Sequence, residues 1–146
     1  MKKEQLPVGR MIRAAMEALK FSYAPYSHFK VAASLLTGDG TIYTGCNIEN
    51  AAYSPGNCAE RTAFFKAVSE GEQDFAAICI VNENEEGGHD ICPPCGMCRQ
   101  VMMEFCRPED FFIILAAGEE NYEIHTLGEL LPLGFGPGTL IQNKKE

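Results

Sequence analysis

CAERTAFFKAVSEGEQDFAAICIV, residues 58–81, contains one predicted helix and one predicted strand, and this pair determines the predicted class of fold. Four apolar residues share one face of the helix predicted over 58–70, namely Ala63, Phe64, Ala67 and Val68. Gly71 follows as a stop signal. The short apolar run 76–81 is typical of a strand buried on both faces. A helix that leads directly into a buried strand indicates an α/β fold.

The alternation of helices and strands continues on both sides of this stretch. Further helices are predicted from Val8 to Leu19, from Pro93-Pro94 to the stop at Arg107-Pro108, and from Leu127 to Leu131. Further strands are predicted from Phe29 to Thr37, Thr41 to Cys46, Phe111 to Ala117 and Tyr122 to Thr126. Gly38-Asp39-Gly40 predicts a hairpin between the first two strands, so the sheet must be mixed. The expected architecture is a mixed central sheet flanked by helices.

Charge and length limit the possible functions. The chain has 146 residues and a formal charge of −8, with no basic run longer than two residues. Binding to a nucleic acid backbone requires a positive surface, so neither nucleic acid nor an acidic membrane is expected as a partner. We expect one domain over residues 1–146, with frayed ends at 1–7 and 139–146. The charged N-terminal stretch lacks the apolar core of an export signal.

Seven cysteines are unusually many for a chain of this kind. An odd number without an export signal favours a reducing compartment, and hence a cytoplasmic protein, over a disulfide framework. Cys46, Cys79 and Cys106 are interpreted as small buried hydrophobic residues. The remaining cysteines fall near the starts of the two central helices.

Three of these cysteines predict a metal site. Cys58 opens one helix, and Cys95 and Cys98 form a C-x-x-C at the start of the next. Helices on one side of a sheet can present their N-termini side by side, where exposed N–H groups favour thiolates. Three thiolates suit tetrahedral zinc and leave a fourth position open, as in catalytic sites. Glu60, two residues after Cys58, is placed to carry a proton.

The alternative is a closed structural zinc site with Cys92 or Cys106 as a fourth ligand. Cys92-Pro93-Pro94-Cys95 is itself a C-x-x-C, which keeps this interpretation open. A structural site of that kind would have no use for Glu60.

The order C-x-E and then P-C-x-x-C is the three-cysteine form of the zinc deaminase signature. Further stretches extend the match: Tyr26-Ser27, Leu35-Leu36-Thr37, Gly45 to Tyr53, Cys58 to Ala63, Cys98 to Val101 and Glu129 to Pro132. From about Ala24 to Gly138 the chain resembles the small, homotetrameric cytidine deaminases. Ala32 and Ser34 depart from that pattern, where Gly and Ala are common, and Asn84 to Ile91 is longer than usual.

The resemblance implies a three-layer cytidine-deaminase-like fold, one Zn²⁺ per subunit, and hydrolysis of cytidine and deoxycytidine in pyrimidine salvage. It implies that Cys58, Cys95 and Cys98 are the zinc ligands and that Glu60 is the proton shuttle. It also implies a set of substrate-binding residues: Asn47 and Glu49 for the ribose, Phe29 near the pyrimidine, and Tyr53 and Phe135 contributed by neighbouring subunits.

Three alternative functions and one further residue complete the predictions. A deaminase acting on a nucleotide or nucleic acid is disfavoured by the negative charge, and a non-enzymatic zinc module leaves Glu60 unexplained. A relative that acts on a cytosine-containing antibiotic would use the same chemistry. Zinc and three thiolates together carry a net negative charge, so something must draw charge from the sulfurs. The candidates are the two helix N-termini and the arginines Arg61 and Arg99, and Arg61 is predicted first because it lies in the same helical turn as Cys58 and Glu60.

Overall fold

The computed structural model describes residues 1–141. Its helices are α1 (Val8–Ala18), α2 (Ala59–Ser69), α3 (Gly96–Phe105), α4 (Leu127–Leu130) and α5 (Pro137–Leu140). Its strands are β1 (Lys30–Thr37), β2 (Ile42–Cys46), β3 (Phe75–Glu83), β4 (Phe112–Gly118) and β5 (Asn121–Thr126). Single turns of 3-10 helix span Lys3–Gln5 and Leu19–Phe21. The predicted order of the main elements is confirmed, and α5 was not predicted.

The five strands form one mixed sheet in the order β2-β1-β3-β4-β5. The pairs β1–β2, β1–β3 and β4–β5 are antiparallel, and β3–β4 is parallel. A parallel neighbour requires a crossover connection, which here carries α3. The predicted mixed sheet is confirmed.

Helices cover both faces of the sheet, which gives three layers. On one face Met11, Ile12 and Ala15 of α1 pack against the inward residues of the strands. On the other face Phe64 of α2 and Met102 of α3 share a second apolar core. Alternate residues of each strand serve opposite layers, as the two-residue period of a β-strand requires. The site described below lies at the end of the second layer, where α2 and α3 begin.

The N-terminus differs from the frayed segment predicted for residues 1–7. Lys3–Gln5 forms a turn of 3-10 helix, and Leu6 is buried in the core beneath α1. Burial of one leucine contributes about 1.5–3 kcal/mol toward holding this segment against the core.

The predicted frayed tail, 139–146, divides into two parts. Thr139 and Leu140 belong to α5, and residues 142–146 lie outside the described part of the chain. Within residues 1–141 no helix has both the length and the hydrophobicity that a bilayer span requires.

Candidate active site

The three predicted metal ligands converge at the N-termini of α2 and α3. Cys58 is the N-cap residue of α2, Cys95 is the N-cap residue of α3, and Cys98 lies in the first turn of α3. The Sγ atoms are 3.9 Å apart for Cys58 and Cys95 and 3.5 Å apart for Cys95 and Cys98. All three sulfurs lie within 4.8 Å of one another.

This spacing fits zinc. Sulfurs bound tetrahedrally to one zinc ion at about 2.3 Å lie about 3.8 Å apart, close to both distances in this site. Soft thiolates are also the donors that zinc prefers over calcium or magnesium. The three sulfurs differ in exposure, because Cys98 is buried, Cys58 is half-buried and Cys95 is exposed.

The structure does not favour a fourth cysteine ligand. Among the described residues, the group of converging ligand atoms consists of Cys58, Cys95 and Cys98. Cys92 lies near the site, but its thiol is directed at the Pro93 carbonyl at 3.9 Å. Cys106 follows the far end of α3, about 16 Å along the helix axis from Cys95. The closed structural site considered from the sequence therefore lacks its fourth sulfur.

Glu60 lies in the first turn of α2, beside the sulfurs. It is only 4% exposed, yet it contributes to the wall of the cavity in front of them. Burial is the main cause that raises the pKa of its carboxyl above the ordinary value, and the charge of Cys58 adds to the effect. A carboxyl group in such surroundings exchanges a proton more readily near neutrality than an exposed one.

Arg61 approaches the sulfurs from the same turn of α2. Its Nη2 donates a hydrogen bond to the Sγ of Cys58 at 3.3 Å. Its Nε is buried and has no hydrogen-bond partner among the described residues. The nearby Cys98 thiol lowers the pKa of Cys58 to about 5, against the effect of burial and with help from Arg61. The nearness of Cys58 and burial raise the pKa of Cys98.

A cavity of about 800 Å³ opens in front of this cluster. Its walls come from the loop after β2, the start of α2 and the segment before α3. The residues that line this cavity include Asn47, Glu49, Tyr53, Glu60, Arg61 and Cys92. The volume of the cavity lies within the range of about 300–1,000 Å³ that is usual for ligand pockets. The cavity is therefore large enough to hold a nucleoside.

Asn47 and Glu49 are held rigidly at one wall. The Asn47 side chain accepts a hydrogen bond from the Val31 amide at 2.9 Å and donates one to the Phe29 carbonyl at 2.8 Å. Glu49 accepts hydrogen bonds from the Tyr26 and Ser27 amides at 3.0 and 3.1 Å and from the Ser27 hydroxyl at 2.5 Å. These hydrogen bonds lower the pKa of the Glu49 carboxyl and keep it ionised, and the bond from the Ser27 hydroxyl has the largest effect.

The three predicted aromatic residues are not brought together within this chain. Tyr53 lines the cavity and is fully exposed. Phe29 and Phe135 are also exposed, and in the described part of the chain neither belongs to the cavity wall. Phe135 lies on the outer side of α3, where its carbonyl accepts a hydrogen bond from the Gln100 side chain at 2.8 Å.

Three contributors to the geometry were not predicted in these roles. Gly45 lets α2 approach β2, because a Cβ at this position would lie 2.5 Å from the Ala63 amide nitrogen and 2.6 Å from the Ala59 carbonyl oxygen. Ser27 holds Glu49. Arg99 bonds the Pro94 carbonyl just before Cys95. A glycine inside a strand is a signal for such close approach, whereas the other two contacts have no local signal.

Comparison with known proteins places this geometry in a family. The model of the cytidine and deoxycytidylate deaminase zinc-binding region matches residues 8–114. A cytidine deaminase of Sporosarcina psychrophila is 47% identical over 130 residues, which are 89% of this chain and 92% of that protein. The crystal structure of cytidine deaminase from Burkholderia pseudomallei is 42% identical with a TM-score of 0.78, covering 92% of this chain and 100% of that one. For the enzyme from Mycobacterium tuberculosis the identity is 32% and the TM-score 0.76, over 90% and 99% of the two chains. The chain therefore belongs to the cytidine and deoxycytidylate deaminase family, whose defining region binds zinc.

Proposed function

We propose that this protein hydrolyses cytidine and deoxycytidine to uridine and deoxyuridine with release of ammonia, a step of pyrimidine salvage. The observation that supports this most strongly is the convergence of three cysteine sulfurs at two helix N-termini beside a buried glutamate, in the wall of a nucleoside-sized cavity. The relatives named above are cytidine deaminases, which supports the same reaction.

Cys58, Cys95 and Cys98 are the proposed ligands of one Zn²⁺ per subunit. Bound zinc acts as a Lewis acid and lowers the pKa of water toward neutrality. Three protein ligands would leave one coordination position of the ion for water, which is the difference between a catalytic and a structural zinc site.

Glu60 is the proposed proton shuttle. It accepts a proton from the attacking water and delivers it to N3 of the pyrimidine, so that C4 becomes more electrophilic. After hydroxide has added at C4, Glu60 takes the proton of the new C4 hydroxyl and delivers it to the amino group. The C4–N bond then breaks, ammonia leaves, and the C4 carbonyl of the uracil ring forms. One carboxyl group can serve every transfer because it alternates between base and acid, and its burial supports both roles.

Arg61 is the proposed charge-tuning residue. Three thiolates and one Zn²⁺ carry a net charge of −1, which weakens the metal as a Lewis acid. The hydrogen bond from Arg61 to Cys58 withdraws negative charge from one sulfur. The exposed N–H groups at the starts of α2 and α3 act in the same direction.

Asn47 and Glu49 are the proposed ribose-binding residues. Glu49 is already ionised and fixed by Tyr26 and Ser27, so it can accept ribose hydroxyl hydrogen bonds without rearrangement. Asn47 has one N–H left after its bond to the Phe29 carbonyl. A carboxylate at this wall also disfavours a substrate that places a phosphate nearby.

Phe29, Tyr53 and Phe135 are proposed to bind substrate in an assembly of several subunits. Phe29 is proposed to stack near the pyrimidine, while Tyr53 and Phe135 are proposed to contribute to the sites of neighbouring subunits. Their exposure in the single chain supports this, because large aromatic residues are enriched at interfaces. A homotetramer is the proposed assembly.

The protein is further proposed to be one cytidine deaminase domain over residues 1–146 that acts in the cytoplasm on free nucleosides and binds neither nucleic acid nor membrane. All seven cysteines are free, which suits a reducing compartment. The formal charge of −8 opposes binding to polyanions.

An ultraviolet assay that follows loss of cytidine tests the proposal. Cytidine, deoxycytidine, CMP and adenosine are compared with the zinc-loaded protein and with zinc-loaded Glu60→Gln as the control. Turnover of the first two substrates and little turnover of the others or by the variant is expected. Absence of turnover with both nucleosides would refute the proposed reaction.

A further inference from the structure

Cys95 is the proposed ligand with the least support from packing. Cys98 is buried within the core, whereas Cys95 is exposed. Residues 84–95, which lead to it, form neither helix nor strand. Contacts with other parts of the fold therefore matter for holding the Cys95 backbone, whose sulfur lies 3.9 Å from that of Cys58.

Arg99 supplies such a contact. Its backbone N–H bonds the Cys95 carbonyl at 3.0 Å, and its side-chain Nε bonds the Pro94 carbonyl at 2.8 Å. Its Nη1 bonds the carbonyl of Leu130, the last residue of α4, at 2.5 Å. One planar guanidinium thus joins the peptide before Cys95 to the end of α4.

The neighbouring residue extends the connection to the C-terminal part of the chain. Gln100 Nε2 donates to the Phe135 carbonyl at 2.8 Å. Gly136 lies so close to α3 that an added Cβ would be 2.9 Å from the Met103 side chain. The segment 127–136, here called the C-terminal strap, is therefore held against the helix that carries two of the three sulfurs.

We propose that Arg99 is a positioning residue that clamps Cys95 to the C-terminal strap, so that the strap determines how firmly the metal is retained. The proposal rests on the proposed function in one respect, namely that Cys95 is a zinc ligand. Residues that orient metal ligands typically change metal affinity about 10–100-fold when they are removed. Coupling between two sites is reciprocal, so zinc must in turn stabilise the strap.

Release of zinc into an excess of a chelating dye tests the clamp without using activity. The zinc-loaded wild type is compared with Arg99→Ala, Arg99→Lys and Arg107→Ala. Arg107 is the matched control because it is an exposed arginine just beyond the other end of α3 that pairs with Glu109. We expect Arg99→Ala to release zinc about 10–100-fold faster and Arg107→Ala to match the wild type.

Arg99→Lys separates geometry from charge. A lysine ammonium is a point donor and cannot reproduce the planar fork that reaches two carbonyls, so release remains faster than in the wild type. Release at the wild-type rate from Arg99→Ala or from Arg99→Lys would overturn the clamp.

Hydrogen exchange of the wild-type protein provides a second test, which requires no variant. Removal of zinc is expected to speed amide exchange in the strap, while the hairpin turn between β4 and β5 remains unchanged. Equal exchange of the strap with and without zinc would overturn the coupling. Zinc retention by Cys95→Ala would instead show that the proposed ligand set is wrong, which distinguishes the two failures.

Discussion

The glycine at position 45 sets how closely α2 approaches the sheet, and Gly45→Ala is the sharpest test of that geometry. The new Cβ would lie 2.5 Å from the Ala63 amide nitrogen and 2.6 Å from the Ala59 carbonyl oxygen. Both are backbone atoms of α2, so no side chain can turn aside. Relief to the 3.4 Å of ordinary contact requires α2 to move by about 0.9 Å relative to β2.

That displacement has two measurable consequences. Overpacking of this kind costs about 1–3 kcal/mol of unfolding free energy. Because Cys58 and Glu60 begin the same helix, they move with it, and a misplacement of about 1 Å can cost about 10²-fold in rate. We expect a lower urea midpoint and a loss of turnover approaching that magnitude, measured on protein of known zinc content.

Gly118→Ala is the matched control for this variant. Both glycines belong to strands, because Gly118 ends β4 and Gly45 lies within β2. A Cβ added at Gly118, however, would meet no atom within 4 Å among the described residues beyond its chain neighbours. We expect wild-type turnover and stability from the control. If Gly45→Ala matched the wild type in both properties, the close approach of α2 would not be what positions the site.

Four further predictions concern the proposed residues. Glu60→Gln should retain zinc and lose turnover by at least about 10²–10⁴-fold, and near wild-type turnover in the zinc-loaded variant would contradict its role. Cys95→Ala should lose zinc and activity together while Cys92→Ala loses neither, as measured by metal analysis. Phe135→Ala should raise KM with zinc retained, and a fully active monomer at high dilution would exclude a contribution from neighbouring subunits. Arg61→Gln should lower turnover and shift to higher pH the range in which the rate rises with pH, because loss of a positive charge makes deprotonation at the site harder. An unchanged pH–rate profile would show that another group compensates the negative charge of the sulfurs.

The order of helices and strands was predictable because hydrophobic periodicity is a local property of the chain. Ala63, Phe64 and Ala67 mark the inner face of α2 in the sequence, and all three are buried in the structure. The sequence also indicates that Cys58 and Cys95 begin two neighbouring helices. Their convergence follows from the α/β topology, in which successive crossover elements pack side by side.

The contacts that refine the site were not predictable because they join distant parts of the chain. Arg99 reaches Leu130, 31 residues away, and Ser27 reaches Glu49, 22 residues away. A local sequence pattern does not indicate to which distant carbonyl an arginine side chain will donate a hydrogen bond. The start of α2 was also hard to predict from capping preferences. Its N-cap residue is Cys58, which makes no side-chain capping bond, whereas serine, threonine or aspartate is ordinarily preferred at this position.

The absence of a capping bond at α2 and α3 is itself part of the site's electrostatics. A serine or aspartate cap would use the free N–H groups that otherwise face the sulfurs, and it would replace the thiolate at the same position. Cysteine at the N-cap leaves the helix end directed at the metal-binding group. Glu60 and Arg61 then follow in the same first turn, which places a proton carrier and a positive charge beside the sulfurs without any further element. One helix N-terminus therefore carries the proposed ligand, the proposed acid–base group and the proposed charge-compensating residue, and the second helix brings two more sulfurs to within 4.8 Å.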